Sequence, residues 1–190
     1  MQRRCEWCGS QPLYQQYHDT EWGVPEYGPN ALFERLILEG MQAGLSWWTI
    51  LQKREHMQKV FFNFIPEQLA ETTDALVANW LQDAGIIRHR GKLDAMISNA
   101  RAFLQIRHFP EFVWSVVDGR PIENTFDKRA NVPSQTKTSV QLAKKLSSAG
   151  FRFVGPTTAY AFMQSAGLVN DHIIYCYRHG ACRALGAAAL

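Results

Sequence analysis

The chain has 190 residues, 46% hydrophobic and 19% charged, which fits one domain, or one domain with a lobe, able to bury a core without disulfide staples. A formal charge of +3 and a pI near 8.7 permit a nucleic-acid partner without demanding one, because what matters is whether the basic groups cluster. Glu, Gln, Arg or Gly breaks every apolar run short of the roughly 20 residues of a membrane span, and MQRRCEWCGSQ lacks a signal peptide's apolar stretch, so the expectation is a soluble, monomeric, cytoplasmic protein with no membrane partner.

Residues 1–28 read as irregular and rich in aromatics: Trp7, Tyr14, Tyr17, Trp22 and Tyr27. From Pro29 a helical period takes over. Leu32, Phe33, Leu36, Ile37 and Gly40 share one face, Glu39 lies at its edge, and Gly44 closes the helix. Ser46 is the expected N-cap of a second helix whose Trp47, Ile50, Leu51, Met57, Phe61 and Phe62 share a face, up to Pro66. A third amphipathic stretch runs from Asp74 to Ala84 and a fourth from Lys92 to Ile106. GIIRHRG joins them tightly with Gly at both ends, so the pair reads as a helical hairpin. Phe112 to Val117 and Thr138 to Ser148 are shorter helices, the latter capped by Thr138 or Ser139, and Thr157 to Ser165 is the last, stopped at Gly167. Only FRFV at 151–154 looks like a strand, and it is isolated, so the fold class is all-α.

Three segments carry candidate chemistry. At GIIRHRG, backbone N–H groups opening the second helix can donate to a phosphate oxygen, and the helix dipole favours the anion. With Arg88, Arg90 and Lys92 this makes a DNA-backbone clamp that fixes register and reads no sequence; the alternative is an ordinary helix corner with solvated charges. The second segment is DHIIYC, where His172 and Cys176 stand at i, i+4, with Cys5 and His18 at the other end of the chain. Such a Cys₂His₂ set would bind zinc tetrahedrally, pin tail to head and leave no position for a catalytic water. A rival set joins Cys5 and Cys8 to Cys176 and Cys182, and four free thiols are the third reading. The third is LILEGMQAGLSWWTIL, where Glu39 interrupts an apolar run that ends in two tryptophans. Glu39 is either a surface partner of Arg35 or a pocket residue beside Trp47 and a tyrosine. In a pocket, a ligand carrying donors or positive charge would offset its desolvation.

The blocks YHDTEWGVP (17–25), LEGMQAGLSWWTIL (38–51), DAGIIRHRGKL (83–93) and FVGPTTAYAFMQSAGLVNDH (153–172), with the His172/Cys176 pair, resemble the 3-methyladenine DNA glycosylase I family of bacterial alkylation-repair enzymes, from about Cys5 to Cys176. The resemblance implies a single helix-hairpin-helix glycosylase unit over 1–190. About 29–110 would form a helical domain with the hairpin at 85–91, and 1–28 plus about 111–190 a second lobe uniting both termini. It implies one structural Zn²⁺ on Cys5, His18, His172 and Cys176, leaving Cys8 and Cys182 free. Tyr17 and Glu39 would hydrogen-bond the excised base, Trp47 would stack on it, and Trp7, Tyr14 and Trp22 would complete the lining. Leu45 would fill the gap in the duplex, with Gly85, Ile86, Arg88, Arg90, Gly91 and Lys92 at the DNA backbone.

The implied activity is base-excision repair: hydrolysis of the N-glycosidic bond of N3-methylated adenine in double-stranded DNA, releasing 3-methyladenine and leaving an abasic site. Such a base is cationic and already weakly held, so its departure needs no general acid. No lysine is placed as a nucleophile, which implies no strand cleavage. Related glycosylases place an aspartate after the hairpin, and this family lacks it. Asp94 is therefore expected on the helix surface, and Asp171 beside the zinc ligand His172 as its orienting partner. Two rivals are a non-catalytic DNA-binding module and a zinc hydrolase. The alanine-rich tail after Arg183 has no counterpart in the family.

Overall fold

Proline and hydroxyl side chains set the helix starts. Proline stands in the first turn of five helices, where its missing N–H has no intrahelical acceptor to lose. Ser46 caps a sixth by accepting from Thr49 N, as its position predicts. The computed structural model describes residues 3–188. Among these the helices are α1 Pro12–Thr20, α2 Pro29–Gln42, α3 Trp47–Val60, α4 Pro66–Ala70, α5 Asp74–Trp80, α6 Arg90–Leu104, α7 Phe109–Trp114, α8 Lys137–Ser148, α9 Pro156–Ser165 and α10 Tyr177–Ala188.

Helix α2 is the centre of the packing. Leu32, Phe33, Leu36, Ile37, Leu38 and Met41 are all buried on it, a wider face than the periodicity suggested, because α3, α6 and α9 all pack against it. One contiguous apolar core runs from Leu32 to Val169, and a small satellite of Cys5, Ile173 and Cys176 lies beside the chain ends. Truncating a fully buried leucine such as Leu36 to alanine would cost about 2–5 kcal/mol. The segment 22–26 is laced onto α9 by Gly23 N to Gln164 O (3.0 Å) and Glu26 N to Ala166 O (3.0 Å). Gly167, at φ +72, is required there: a Cβ would strike the Val24 and Pro25 backbone.

The all-α class holds, with several local corrections. Residues 12–20, read as irregular, form α1. The third helix stops at Trp80 instead of Ala84, because the Asp83 carboxylate accepts from Gly85 N (2.7 Å) and closes a turn. α3 ends at Val60, and Phe62, Asn63 and Phe64 take positive φ of 53–55°. α6 starts at Arg90, two residues before the expected Lys92. α8 is capped by Thr136 and not by Thr138 or Ser139; Thr136 and Ser139 form a reciprocal capping box. FRFV is not a strand: Phe151 and Val154 are buried and the two residues between are exposed in a loop. The strand pairing lies instead between β1 Ile122–Glu123 and β2 Val169–Asn170, parallel and two residues long. The alanine-rich tail after Arg183 continues α10 to Ala188.

Candidate functional site

Cys5 leads into the chain's first turn, His18 lies on α1, and His172 and Cys176 flank the loop between β2 and α10. Their ligand atoms all lie within 4.8 Å of one another and all four residues are buried. Cys5 Sγ is 3.6 Å from His172 Nδ1, and Cys176 Sγ is 3.4 Å from His18 Nε2 and 3.6 Å from His172 Nδ1. Zinc bonds of roughly 2.0–2.3 Å to N and S would put tetrahedral ligands about 3.6 Å apart, so the cluster fits such an ion. The rival set is not assembled. Cys8 Sγ donates to Cys5 O (3.1 Å) and Cys182 Sγ accepts from Arg178 (3.6 Å).

The remaining ring nitrogens are also engaged, which fixes ring orientation. His18 Nδ1 meets Asp19 Oδ1 at 2.8 Å, and His172 Nε2 meets the Trp22 carbonyl at 3.0 Å. Burial pushes the Asp19 carboxyl up, but Arg4, bonded to both its oxygens, and His18 outweigh this and hold it well below the ordinary range. Facing Cys5 draws the Cys176 thiol far down, with help from the His172 and His18 rings, while Cys5 itself is pushed up by Cys176 and by burial. Without an ion the facing pair therefore shares one anionic sulfur, on Cys176, while Cys5 keeps its proton. Asp171 departs from expectation. It does not orient His172; it accepts from Tyr160 Oη (2.6 Å), Gln164 Nε2 (2.7 Å) and Asn124 Nδ2 (2.7 Å).

The rings of this centre pack against an aromatic cavity. His172 meets Trp22 edge-on with centroids 4.7 Å apart, and His18 lies 5.3 Å from Trp7. Trp7 in turn touches Trp22 (4.9 Å) and Tyr14 (5.2 Å), and Tyr17 lies 5.1 Å from Trp47. The cavity holds about 320 Å³ and is lined by Trp7, Tyr14, Tyr17, Trp22, Glu39 and Trp47, so the structure brings all six expected pocket residues together. Gln42, Gln164, Asp171 and the segment 127–129 also line it and were not anticipated. Gln164 and Asp171 sit inside a quoted sequence block, but nothing in their spacing marks them as lining.

Glu39 is only 5% exposed. Burial pushes its carboxyl up to about 8, against the pull of the Ser165 hydroxyl and the Arg35 charge. The surface-pair alternative fails, since Arg35 bonds Glu26 Oε2 (3.1 Å) and the Ser165 carbonyl instead. Burial, then the nearby Glu39, raises the Tyr17 hydroxyl well above its ordinary value, which keeps it a donor. Trp47 Nε1 is buried with no partner among the described residues. A ligand with acceptors and positive charge answers these needs together.

On the hairpin side, Ile86 and Ile87 are buried, and Arg88, His89 and Arg90 are exposed. His56 occupies the space a Cβ on Gly85 would need. Arg90 pairs with Asp94 and Asp74, each at 2.8 Å, so Asp94 is a surface residue as expected. Lys92 is not at the surface. It is 6% exposed, and Nζ donates to the Met41 (2.8 Å) and Ala43 (2.5 Å) carbonyls at the end of α2. Its role as a direct phosphate contact is therefore corrected: it fixes the turn carrying Leu45, which is 42% exposed beyond Gly44 at φ +77.

The class that this fold and cavity define is a helical protein with a Cys₂His₂ centre beside a pocket for a flat, cationic ligand that carries acceptors. The family model described as methyladenine glycosylase matches residues 7–179, and the chain belongs to that family. It is 46% identical over 180 residues to the DNA-3-methyladenine glycosylase of Haemophilus influenzae, covering 93% of this chain and 97% of that one. It is 49% identical over 177 residues to DNA-3-methyladenine glycosylase 1 of Escherichia coli, covering 91% and 95%. Among solved structures, a crystal structure of 3-methyladenine DNA glycosylase I superimposes with a TM-score of 0.91 at 50% identity, over 92% of this chain and 98% of that one. A structure addressing 3-methyladenine recognition by the Staphylococcus aureus enzyme gives 0.88 at 36% identity, over 92% and 95%. No helix among the described residues is long and apolar enough to cross a membrane.

Proposed function

We propose that this chain is a monofunctional DNA glycosylase that hydrolyses the N-glycosidic bond of N3-methylated adenine in double-stranded DNA, acting as a monomer and leaving an abasic site. The observation that carries this reading is Glu39: a buried carboxylate in an aromatic cavity, with no cation among the described residues paired to it. A base methylated at N3 brings the missing charge. The Trp47 face attracts it at roughly 0.5–2 kcal/mol, Tyr17 supplies a donor, and the Glu39 carboxylate accepts from the amino edge.

A cationic leaving group departs without a general acid, so the pocket's work is extraction and orientation. Flipping costs a few kcal/mol, least for a damaged base, and stacking with hydrogen bonds offsets it. Neutral purines bring no charge to hold Glu39 ionised and leave slowly, which gives selectivity. Leu45 would enter the gap left in the duplex, and Gly85, Ile86, Arg88, Arg90 and Gly91 would present the hairpin to the phosphates. Residues about 29–110 would form the DNA-facing lobe, and 1–28 with about 111–190 the lobe that closes the pocket.

The Cys5, His18, His172 and Cys176 centre would hold Zn²⁺. Four protein ligands leave it no water, so its contribution is structural, fixing α1 with Tyr17 next to His18. The test is a duplex carrying methyl-labelled adenines. Release of labelled base with the strands intact until alkali cleaves the abasic sites supports the reading. Strand nicking without alkali would overturn the monofunctional assignment, and no release at all would overturn the activity.

A further inference from the structure

Five non-glycine residues of the described chain take a positive φ. Asn63 and Asp118 are types that tolerate that region. Phe64 is fully buried, and Phe62 packs on Trp80 with centroids 6.1 Å apart. Phe153 differs: its φ is 57°, yet the residue is 39% exposed, so burial within the protein does not account for the strained backbone. The strain is held from next door. The Asn99 carboxamide, buried on α6, accepts from Arg152 N (2.7 Å) and donates to Arg152 O (3.1 Å).

The place where the ring is held is specific. Cβ atoms added at Gly40 and Gly91 would meet Phe153 at 3.6–3.9 Å, and the His89 ring stands edge-on at 6.3 Å. Phe153 thus stands between the opening of α6 and the last turn of α2, beside the Lys92 stem that fixes the Leu45 turn. Arg152 and Arg88 on this face are exposed cations.

We propose that Phe153 is a second apolar wedge against kinked duplex DNA, its ring packing on the bases unstacked beside the gap that Leu45 fills. This rests on the glycosylase reading above. Proteins that kink duplexes do so with inserted apolar side chains, and an aromatic ring stacks on any base. The basic neighbours suit a polyanionic partner.

The test is fluorescence anisotropy with a duplex carrying a tetrahydrofuran abasic analogue, using Phe153→Gly and Phe153→Asn, since both residues accept a positive φ. Both should bind about ten-fold more weakly, with thermal midpoints no lower than wild type. The slope of log affinity against log salt should be unchanged, because a ring contact releases no counterions. Affinity within two-fold of wild type in either folded variant would overturn the proposal. So would weaker binding that tracks an equal loss of thermal stability in both. If wild type does not prefer the abasic duplex to an intact one, the glycosylase reading falls together with the wedge; a wild-type preference retained in the variants overturns the wedge alone.

Discussion

Glu39 and Arg35 lie one helical turn apart on α2, yet the guanidinium turns to Glu26 and the Ser165 carbonyl and leaves the carboxylate to the cavity. Neighbours at i, i+4 with opposite charge would ordinarily pair. Here the pairing is withheld, and a charge site open to a ligand results.

The withheld pair has a stability consequence. Glu39 keeps its proton in the folded chain up to about pH 8, against an ordinary 4.5 when unfolded. Below the ordinary value both states are protonated and nothing is lost. Between the two values the unfolded chain ionises first, so stability falls as pH rises. At about 1.4 kcal/mol per pH unit, Glu39→Gln should stabilise the ligand-free protein by roughly 1 kcal/mol at pH 5 and roughly 3 kcal/mol at pH 7. Denaturant unfolding at both pH values measures this; a destabilised variant, or an equal effect at both, would contradict the account.

The Cys₂His₂ cluster links α1 to the chain's other end, so removing the proposed zinc should loosen the pocket. Treatment with a strong chelator, or Cys176→Ala, should lower the thermal midpoint and weaken binding of free 3-methyladenine together, because His18 adjoins Tyr17 and the Trp22 carbonyl bonds His172. Zinc should restore both in the chelated protein. Lost turnover with an unchanged midpoint and intact base binding would point instead to a catalytic ion.

Lys92 and Arg88 separate two kinds of contribution to DNA binding. Lys92→Met leaves the Met41 and Ala43 carbonyls without their cation, so it should lower stability and abasic-duplex affinity while leaving the salt slope unchanged. Arg88→Ala should leave stability alone and reduce the salt slope by about 1, as one phosphate contact is lost. The opposite pattern would return Lys92 to the phosphate backbone and take Arg88 away from it.

Much of the site was legible because it violates local expectation. A carboxylate inside an apolar run and cysteines confined to the chain ends each marked a feature of the cavity or of the Cys₂His₂ cluster. What was missed depends on long-range geometry. Asp171 adjoins His172 in sequence, but its side chain turns to Tyr160 and Gln164 on α9, and adjacency says nothing about that direction. Lys92 looked like one more cation of the hairpin until α2 brought two helix-end carbonyls to it. FRFV has the composition of a strand, but Asn99 from α6 takes the Arg152 backbone groups a strand neighbour would need. Helix α1 lacks a clear apolar stripe because its Tyr14 and Tyr17 face a cavity instead of a core.

The most direct measurement of the central claim uses duplex DNA treated with a methylating agent, incubated with wild type and with Glu39→Gln, and the released bases identified by chromatography. Wild type should free 3-methyladenine and not 7-methylguanine, which is also cationic but presents O6 to Glu39 where adenine presents its amino group, and the variant should be at least ten-fold slower, having no carboxylate to oppose the cationic base. A wild type that binds the DNA and releases nothing, or a variant as fast as wild type, would contradict the role of the pocket and its buried carboxylate in base release.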